Sequence, residues 1–337
     1  MMKKTFVLVF AILFLLVPVF SVFAQRGGGD VVNIRFASPL PRNSDWGRAL
    51  DKLAADWAQA TGNAVRVIVS HDAREGSEAR MLSLLASNSI QAAFVTSAGL
   101  SEICPPVMTL SIPFLIRNDA EFDTVFTAAK PLLERRLDNE YVIIAWSKGG
   151  WVYIFSKDPV LTPDDLRRTR IATNEEYKDL NQTFRVMGFT MVEVDFAGLA
   201  PSLASGRINA LYFMPAAVAP MQLHRHLSNM LNIPIAPFLG AVVMNRLTWN
   251  RISPAHQQEI IRITQRVTAQ FDASMPRDEA NAIASMDRAG LKVNKPTAAQ
   301  EALWRNELNT AMPSLIGPVF DRELYQLILT TLERTRR

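Results

Sequence analysis

Apolar residues in the first half of this chain alternate between two periods, one typical of strands and one typical of helices. Short runs of β-branched and aromatic residues are each followed by a stretch in which apolar residues recur at helical spacing. In chain order the predicted elements are a strand over 31–37, a helix over 44–62, a strand over 65–70, a helix over 77–88 and a strand over 91–96. Units of this kind need crossover connections, which favour a mostly parallel sheet covered on both faces.

The same alternation returns after residue 140. The predicted elements there are strands over 141–146, 151–156 and 169–173, a helix over 179–187, a strand over 192–195, a helix over 199–205 and a strand over 208–213. This second series predicts a second α/β unit that follows the first along the chain.

A single long helix is predicted over 254–289. Ser253 is a suitable N-cap, and Pro254 suits the first helical position. At ~1.5 Å per residue such a helix is on the order of 50 Å long, which exceeds the width of a small domain. Pro276 has no N–H to donate, so the sequence predicts a kink there. A helix of this length with a joint inside it favours a molecule of two lobes connected by a hinge.

The N-terminal segment has the composition of a targeting sequence. Lys3 and Lys4 precede an apolar run over 5–22, and a small-residue cleavage site ends at Ala24. We therefore expect a signal peptide over 1–24, a Gly-rich tether over 25–30 and a protein exported to the periplasm. An apolar run of this length can also span a bilayer, so an uncleaved membrane anchor is the alternative.

Bulk composition limits the remaining function classes. About 310 residues follow the signal peptide, enough for two domains. The formal net charge of +4 falls to +2 without Lys3 and Lys4, and interspersed acids and bases give no nucleic-acid-binding pattern. The single cysteine, Cys104, cannot form an internal disulfide, and its apolar neighbours predict a small buried side chain.

Neither metal binding nor catalysis has support in the sequence. His224 and His226 are two positions apart, so on a helix they point in different directions, and no cysteine or acid cluster completes a metal site. Ser97, Ser202 and Ser205 lack the strand–turn–helix context of a nucleophile. We therefore predict a protein without cofactor, without metal and without enzymatic activity.

Six segments carry a resemblance to a known family. In chain order they read NIRFASPLPRNSDWGRALDKLAADWAQATG, GSEARMLSLLASNSIQAAFVTSAGL, LSIPFLIRNDAEF, LTPDDLRRTRI, GLAPSLASGRINAL and AVVMNRLTWNRISPAHQQEII. Together they resemble the solute-binding proteins of TRAP (tripartite ATP-independent periplasmic) transporters. The resemblance implies a bilobed periplasmic-binding-protein-like fold, with two α/β lobes of mixed sheets, crossing hinge strands and a long lobe-spanning helix. It also implies ligand capture by lobe closure and delivery to an integral-membrane permease.

The resemblance also implies how the chain divides between the lobes. Lobe I would contain 31–150 and about 215–252. Lobe II would contain 151–214 and parts of 253–337, with the helix over 254–289 spanning both lobes.

Positions that bind the ligand in the family are altered here. The resemblance places an arginine that clamps the substrate carboxylate at the position of Ala172, and an asparagine at the position of Phe213. Its hinge strand, where a second arginine often sits, reads Trp151-Val152-Tyr153. The expected ligand-binding residues are Trp46, Thr96, Ser97, Trp151, Val152, Tyr153, Ala172, Phe213 and Met214, and the candidates for a polar rim are Glu78 and Arg170.

These replacements predict a change of ligand. A carboxylate loses its hydration in a closed cleft, and a bidentate guanidinium is the usual compensation. Removing one partner of such a buried pair costs roughly 2–5 kcal/mol. Ala172 cannot supply that contact, so we expect an apolar or amphipathic ligand, such as a fatty acid or a hydrophobic organic acid.

Three alternatives remain open from the sequence. In the first, the altered residues are core packing in a protein whose cleft no longer binds a ligand. Arg170 lies two residues from Ala172 on a predicted strand, so it points to the same face and is the candidate for a non-standard carboxylate site. The third alternative is an interaction protein that docks a helical-repeat (tetratricopeptide, TPR) partner in the periplasm.

Overall fold

The computed structural model describes residues 31–174, 176–195 and 198–337. The predicted signal peptide over 1–24 and the tether over 25–30 lie outside the described residues. Within the described part of the chain, no helix is both long enough and apolar enough to cross a bilayer.

One mixed sheet of ten strands runs through the described part of the chain. The strands are β1 Val32–Ala37, β2 Val65–Ser70, β3 Ala92–Thr96, β4 Tyr141–Ser156, β5 Arg170–Thr173, β6 Thr190–Glu193, β7 Ala210–Phe213, β8 Asn229–Leu231, β9 Ala236–Asn245 and β10 Lys292–Asn294. The main order is β2-β1-β3-β9-β4-β7-β5-β6, and β8 joins β4 to β10.

The sheet has two halves that share β4. The first half-sheet contains β2, β1 and β3, which are parallel, with β9 antiparallel beside β3. The second contains β5, β6 and β7, which are parallel, and β7 and β8 lie antiparallel to the end of β4. The sheet is therefore mixed rather than mostly parallel, because β4 and β9 run against their neighbours.

Helices cover both half-sheets. They are α1 Asp45–Ala60, α2 Glu78–Ala86, α3 Ser97–Ile103, α4 Asp119–Arg136, α5 Pro163–Arg167, α6 Lys178–Val186, α7 Leu199–Ala204, α8 Pro215–Val218, α9 Arg246–Asn250, α10 Pro254–Arg288, α11 Ala298–Leu315 and α12 Arg322–Thr335. Short 3₁₀ helices lie at Pro105–Ser111 and Leu223–Arg225. The predicted N-cap Ser253 is confirmed, since its hydroxyl accepts a backbone N–H of the first turn of α10, and Ser44 and Ser77 cap α1 and α2 in the same way.

Strand β4 crosses from one half-sheet to the other. The sequence predicted two strands over 141–146 and 151–156, whereas the structure has one 16-residue strand. Its pairing with β9 continues from Tyr141 to Val152, with a register shift between Lys148 and Trp151. Gly150 lies in this shift at φ +90°, a conformation that glycine adopts without strain. The irregular Gly149-Gly150 step lies between the two half-sheets and is the natural hinge of the strand.

Helix α10 spans both half-sheets, as expected from its length. Near its start, Thr264 accepts a hydrogen bond from the indole of Trp57 in α1, at 3.0 Å. Near its middle, Asp272 accepts bonds from Ser147 Oγ at 2.7 Å and from Lys148 N at 2.9 Å. Its 35 residues continue through Pro276, and the kink at that position stays a prediction.

The division into lobes follows the two half-sheets. Strand β9 belongs to the first half-sheet, whereas β8 pairs with the end of β4 and with β10. The segment over 215–252 therefore contributes to both halves of the sheet, and the lobe boundaries predicted from the resemblance stay a proposal.

Candidate functional site

The carboxyl ends of the parallel strands face each other between the two half-sheets. Strand β3 ends at Thr96 in the first half-sheet, and β5 leads into Glu176 and the following residues from the second. Glu176 Oε1 accepts a hydrogen bond from Ala79 N, at the start of α2, at 3.4 Å. Lys178 Nζ lies 3.3 Å from Glu102 Oε1 in α3. These contacts define a cleft at the strand ends, the usual ligand site of α/β sheets.

Glu78 is the buried charged group on the first wall of the cleft. Its side chain is 6% exposed, although the sequence placed it on an exposed rim. Its Oε2 accepts hydrogen bonds from Thr96 N at 2.9 Å, from Thr96 Oγ1 at 3.1 Å and from Gly99 N at 3.0 Å. Burial raises the pKa of Glu78 to about 7, although these bonds oppose the shift, and the nearby charge of Glu176 adds to it.

The backbone of α3 is shaped around this carboxylate. A Cβ on Gly99 would lie 2.3 Å from Glu78 Oε2, so any larger residue there would displace the acid. The carboxylate of Glu78 therefore fits against α3 because residue 99 is a glycine.

Tyr177 lies on the opposite wall, where its hydroxyl makes a hydrogen bond with the side chain of Thr96, and it was not among the residues predicted from the sequence. Burial raises the pKa of Tyr177, and the negative charge of Glu78 adds to the shift, so the phenol lies close to the carboxylate. Tyr212 of β7 points to the opposite face of the sheet from Phe213, where its ring packs edge-on against Phe184 of α6 at 5.3 Å between centroids. The position of Tyr177 just beyond a parallel strand end was the available sequence signal.

The replaced family positions come together on the second half-sheet. Tyr153 of β4 pairs directly with Phe213 of β7, and Leu211 of β7 pairs with Ala172 of β5. Because side chains alternate along a strand, Tyr153, Phe213, Leu211 and Ala172 share one face of the sheet. Ala172 and Phe213 are half-buried, so this face is apolar where the resemblance implied an arginine and an asparagine.

The hinge residues are held by acids from two helices. Trp151 donates its backbone N–H to Glu279 Oε2 at 3.1 Å and its indole N–H to Asp119 Oδ1 at 2.8 Å. Tyr153 donates its hydroxyl to Glu279 Oε1 at 2.8 Å. Val152, between them, is buried and pairs with Ala236. Trp151 and Tyr153 thus have structural partners at the hinge.

Three further predicted residues have defined neighbours. The ring of Trp46 packs against Phe271 of α10, with centroids 3.5 Å apart. Ser97 donates its hydroxyl to Leu239 O at 3.0 Å, which ties α3 to β9. Met214 is half-buried and caps α8 next to Phe213.

Arg170 is directed away from the cleft. It is the first residue of β5, at the opposite end of the strand from the cleft. Its guanidinium donates from Nε to Arg207 O at 3.0 Å and from Nη2 to Gly206 O at 2.6 Å. Those carbonyls hold the side chain at the exposed turn, so Arg170 does not replace the missing arginine in this conformation.

A cavity of about 450 Å³ adjoins the contacts between the half-sheets. The lining residues are Ser101, Glu102, Pro105, Pro106, Met108, Glu176, Tyr177, Lys178, Asp179, Gly317, Pro318, Val319, Phe320 and Asp321. The lining contains four carboxylates and one lysine, and it includes none of the residues predicted from the sequence. Its accessible space is therefore acidic.

Cys104 is buried as predicted. Its Sγ lies 3.4 Å from Leu133 O, and burial raises the pKa of the thiol to about 11. Among the described residues, no group of three or more His, Cys, Asp or Glu side chains is arranged to hold a metal ion.

The fold and the cleft define a class of protein, the bilobed solute-binding proteins of the bacterial periplasm. The model of the bacterial extracellular solute-binding protein family 7 matches residues 36–316. The chain belongs to this family, whose members are TRAP solute-binding receptors that work with membrane permease subunits.

Relatives and solved structures agree with this assignment. A solute-binding protein of Verminephrobacter eiseniae is 25% identical over 75% of this chain and 76% of its own. The 2,3-diketo-L-gulonate-binding periplasmic protein of Escherichia coli is 25% identical over 66% and 68% of the two chains. A TRAP solute-binding protein of Ralstonia eutropha with bound (S)-2-acetolactate superposes with a TM-score of 0.81 at 17% identity, covering 90% and 99%.

Proposed function

We propose that this TRAP receptor captures an apolar or amphipathic ligand between its lobes, closes around it and delivers it to a membrane permease. The ligand class includes fatty-acid-like molecules and hydrophobic organic acids. The chain acts as a receptor rather than an enzyme, and a cleaved signal peptide exports it to the periplasm.

The main support for this proposal is the alanine at position 172, where the resemblance implies an arginine. The relatives from Escherichia coli and Ralstonia eutropha are named for 2,3-diketo-L-gulonate and acetolactate, both of which are carboxylates. The resemblance places the arginine that clamps such a group at Ala172. In this chain that position has only the methyl side chain of Ala172, on the same sheet face as Leu211 and Phe213.

The remaining polar groups do not replace the arginine that clamps a short carboxylate. The guanidinium of Arg170 is bonded to carbonyls at the far end of β5, and the first wall carries the buried acid Glu78. An anionic ligand would lose hydration without gaining a charged partner at Ala172. An apolar ligand gains roughly 25 cal/mol for each Å² of apolar surface removed from water.

Calorimetric titration of ligand-stripped protein tests the proposal. We expect octan-1-ol to bind with a negative heat-capacity change and D-glucuronate to bind at least about a hundredfold more weakly. Binding of D-glucuronate alone would overturn the proposal.

Docking of a TPR partner stays a prediction from the sequence. It would be favoured over ligand capture if a complex from the native envelope survived Phe213→Asp unchanged. Loss of ligand binding in that variant, without loss of folding, supports the receptor role.

A further inference from the structure

Glu78 has an unusual electrostatic position for a buried acid. Only Oε2 is used by its three donors, two from Thr96 and one from Gly99. Within the described ranges 31–174, 176–195 and 198–337, the hydrogen bonds of Glu78 all go to Oε2, and no cationic side chain pairs with the carboxylate. A carboxylate that is 6% exposed and has no cationic partner among the described residues is costly, so a cationic group of a ligand would stabilise its charged form.

The surroundings of Glu78 increase the negative potential. Glu176 approaches from the other wall, where its carboxylate accepts from Ala79 N. The adjoining cavity adds Glu102, Asp179 and Asp321, and its one lysine, Lys178, is already paired with Glu102. A ligand that carries a negative charge would be repelled from this side of the cleft, and a positive charge would be attracted.

We propose that the polar end of the ligand is a protonated amine that donates a hydrogen bond to Glu78 Oε1. The apolar remainder lies against the face that contains Ala172 and Phe213. This inference rests on the proposed function: it keeps the apolar part of the ligand and replaces the acid of a fatty-acid-like molecule by an amine. Glu78 is then the residue that sets the receptor's charge preference.

The niche around Glu78 gives the proposal its specificity. Gly99 leaves room for Oε2, and the donors from Thr96 hold the carboxylate in one orientation. The ligand's N–H then meets a preorganised acceptor, which limits the entropy lost on binding. An ammonium paired with a desolvated carboxylate forms the stronger, charge-assisted type of hydrogen bond.

Three probes of equal chain length test this directly in the unmodified protein. Calorimetry compares octylammonium, octan-1-ol and octanoate, each below the concentration at which it forms micelles. We expect octylammonium to bind at least about tenfold more tightly than octan-1-ol, and octanoate to bind most weakly. Octanoate equal to or tighter than octylammonium would overturn the proposal.

A variant separates the charge effect from the apolar effect. Glu78→Gln keeps the shape of the side chain and removes its charge, so the affinity for octylammonium should fall by at least about tenfold more than the affinity for octan-1-ol. The matched control is Glu134→Gln, an exposed acid of α4 paired with Lys130, which should change neither affinity. Unchanged octylammonium binding in folded Glu78→Gln would refute the role of Glu78.

The outcomes also separate this proposal from the proposed function. If octan-1-ol and octanoate bind and octylammonium does not, the apolar cleft stands and the amine is wrong. If D-glucuronate alone binds, the apolar cleft itself is wrong. Should Glu78→Gln fail to fold, the probe ranking in unmodified protein still decides the matter.

Discussion

Tyr153 donates a hydrogen bond to Glu279 Oε1 at 2.8 Å, and this contact joins the strand that crosses both half-sheets to the helix that spans them. The other oxygen of Glu279 accepts the backbone N–H of Trp151 at 3.1 Å. Both contacts follow the Gly149-Gly150 step directly, so one carboxylate fixes the strand where it leaves the hinge.

Removing this carboxylate should destabilise the protein. Glu279→Ala leaves two buried donors, on Trp151 and Tyr153, without acceptors, which should lower the free energy of unfolding by about 2 kcal/mol. Urea unfolding at neutral pH measures the change. Asp278→Ala is the control, because Asp278 pairs with exposed Arg277 and should change stability by less than about 0.5 kcal/mol. Equal effects of the two variants would contradict this role of Glu279.

Buried acids should make the protein more stable in mild acid than at neutral pH. Burial raises the pKa of Glu78 to about 7 and that of Asp272 to about 6, above their ordinary values of 4.5 and 3.8. At a pH between the ordinary and the raised pKa of each acid, the folded chain binds more protons than the unfolded chain. The free energy of unfolding therefore falls as pH rises through this range. Calorimetric Tm should therefore be higher near pH 5 than near pH 8.

Acids with a lowered pKa make the protein less stable in strong acid. Burial of Asp165 is outweighed by hydrogen bonds from Leu161 and Thr162, which lower its pKa, so its stabilising effect is lost in strong acid. Stability should thus be greatest near pH 5. The double variant Glu78→Gln/Asp272→Asn should flatten the profile between about pH 5 and pH 8. A profile that rises toward pH 8 in the unmodified protein would contradict the assignment.

Reversing the charge of Lys178 should open the cleft. Lys178→Glu would place a like charge beside Glu102 and close to Asp179, and repulsion across the cleft favours separation of the lobes. Small-angle X-ray scattering should show a larger radius of gyration, with the difference reduced at high salt because of screening. Lys130→Glu, which disrupts a pair within α4 only, should leave the radius unchanged.

Restoring a guanidinium should change the ligand preference. Ala172→Arg introduces a charge on the apolar face, so octan-1-ol should bind at least about tenfold more weakly, and D-glucuronate should bind more tightly than to the unmodified protein. Ala299→Arg makes the same change on the exposed face of α11 and should alter neither affinity. If Ala172→Arg leaves octan-1-ol affinity intact, position 172 lies outside the ligand site.

Much of the fold was predictable because local signals were strong. Val65–Ser70 matched its predicted limits, and Ser253 with Pro254 fixed the start of α10. Strand β9 was not predicted from periodicity, because nearly all of its residues are buried and polar positions do not alternate with apolar ones. Strand β4 was divided at Gly149-Gly150, since glycines usually end a strand, and only the pairing with β9 carries the strand through.

The site was less predictable than the fold. Resemblance located Ala172 and Phe213, which the structure places on one sheet face. The burial of Glu78 depends on Gly99, 21 residues away, and on the backbone of Thr96, so the sequence near Glu78 shows only an ordinary helix start. Tyr177 becomes part of the cleft only when the two half-sheets meet, a long-range arrangement that local pattern does not encode.

Native mass spectrometry of the protein purified from the periplasm tests the absence of a carboxylate clamp most directly. The account predicts that a bound molecule adds mass to the folded protein, and that extraction into organic solvent releases an amphiphile with an apolar chain. A bound uronate or short dicarboxylate, retained by the native cleft with Ala172 in place, would contradict the account.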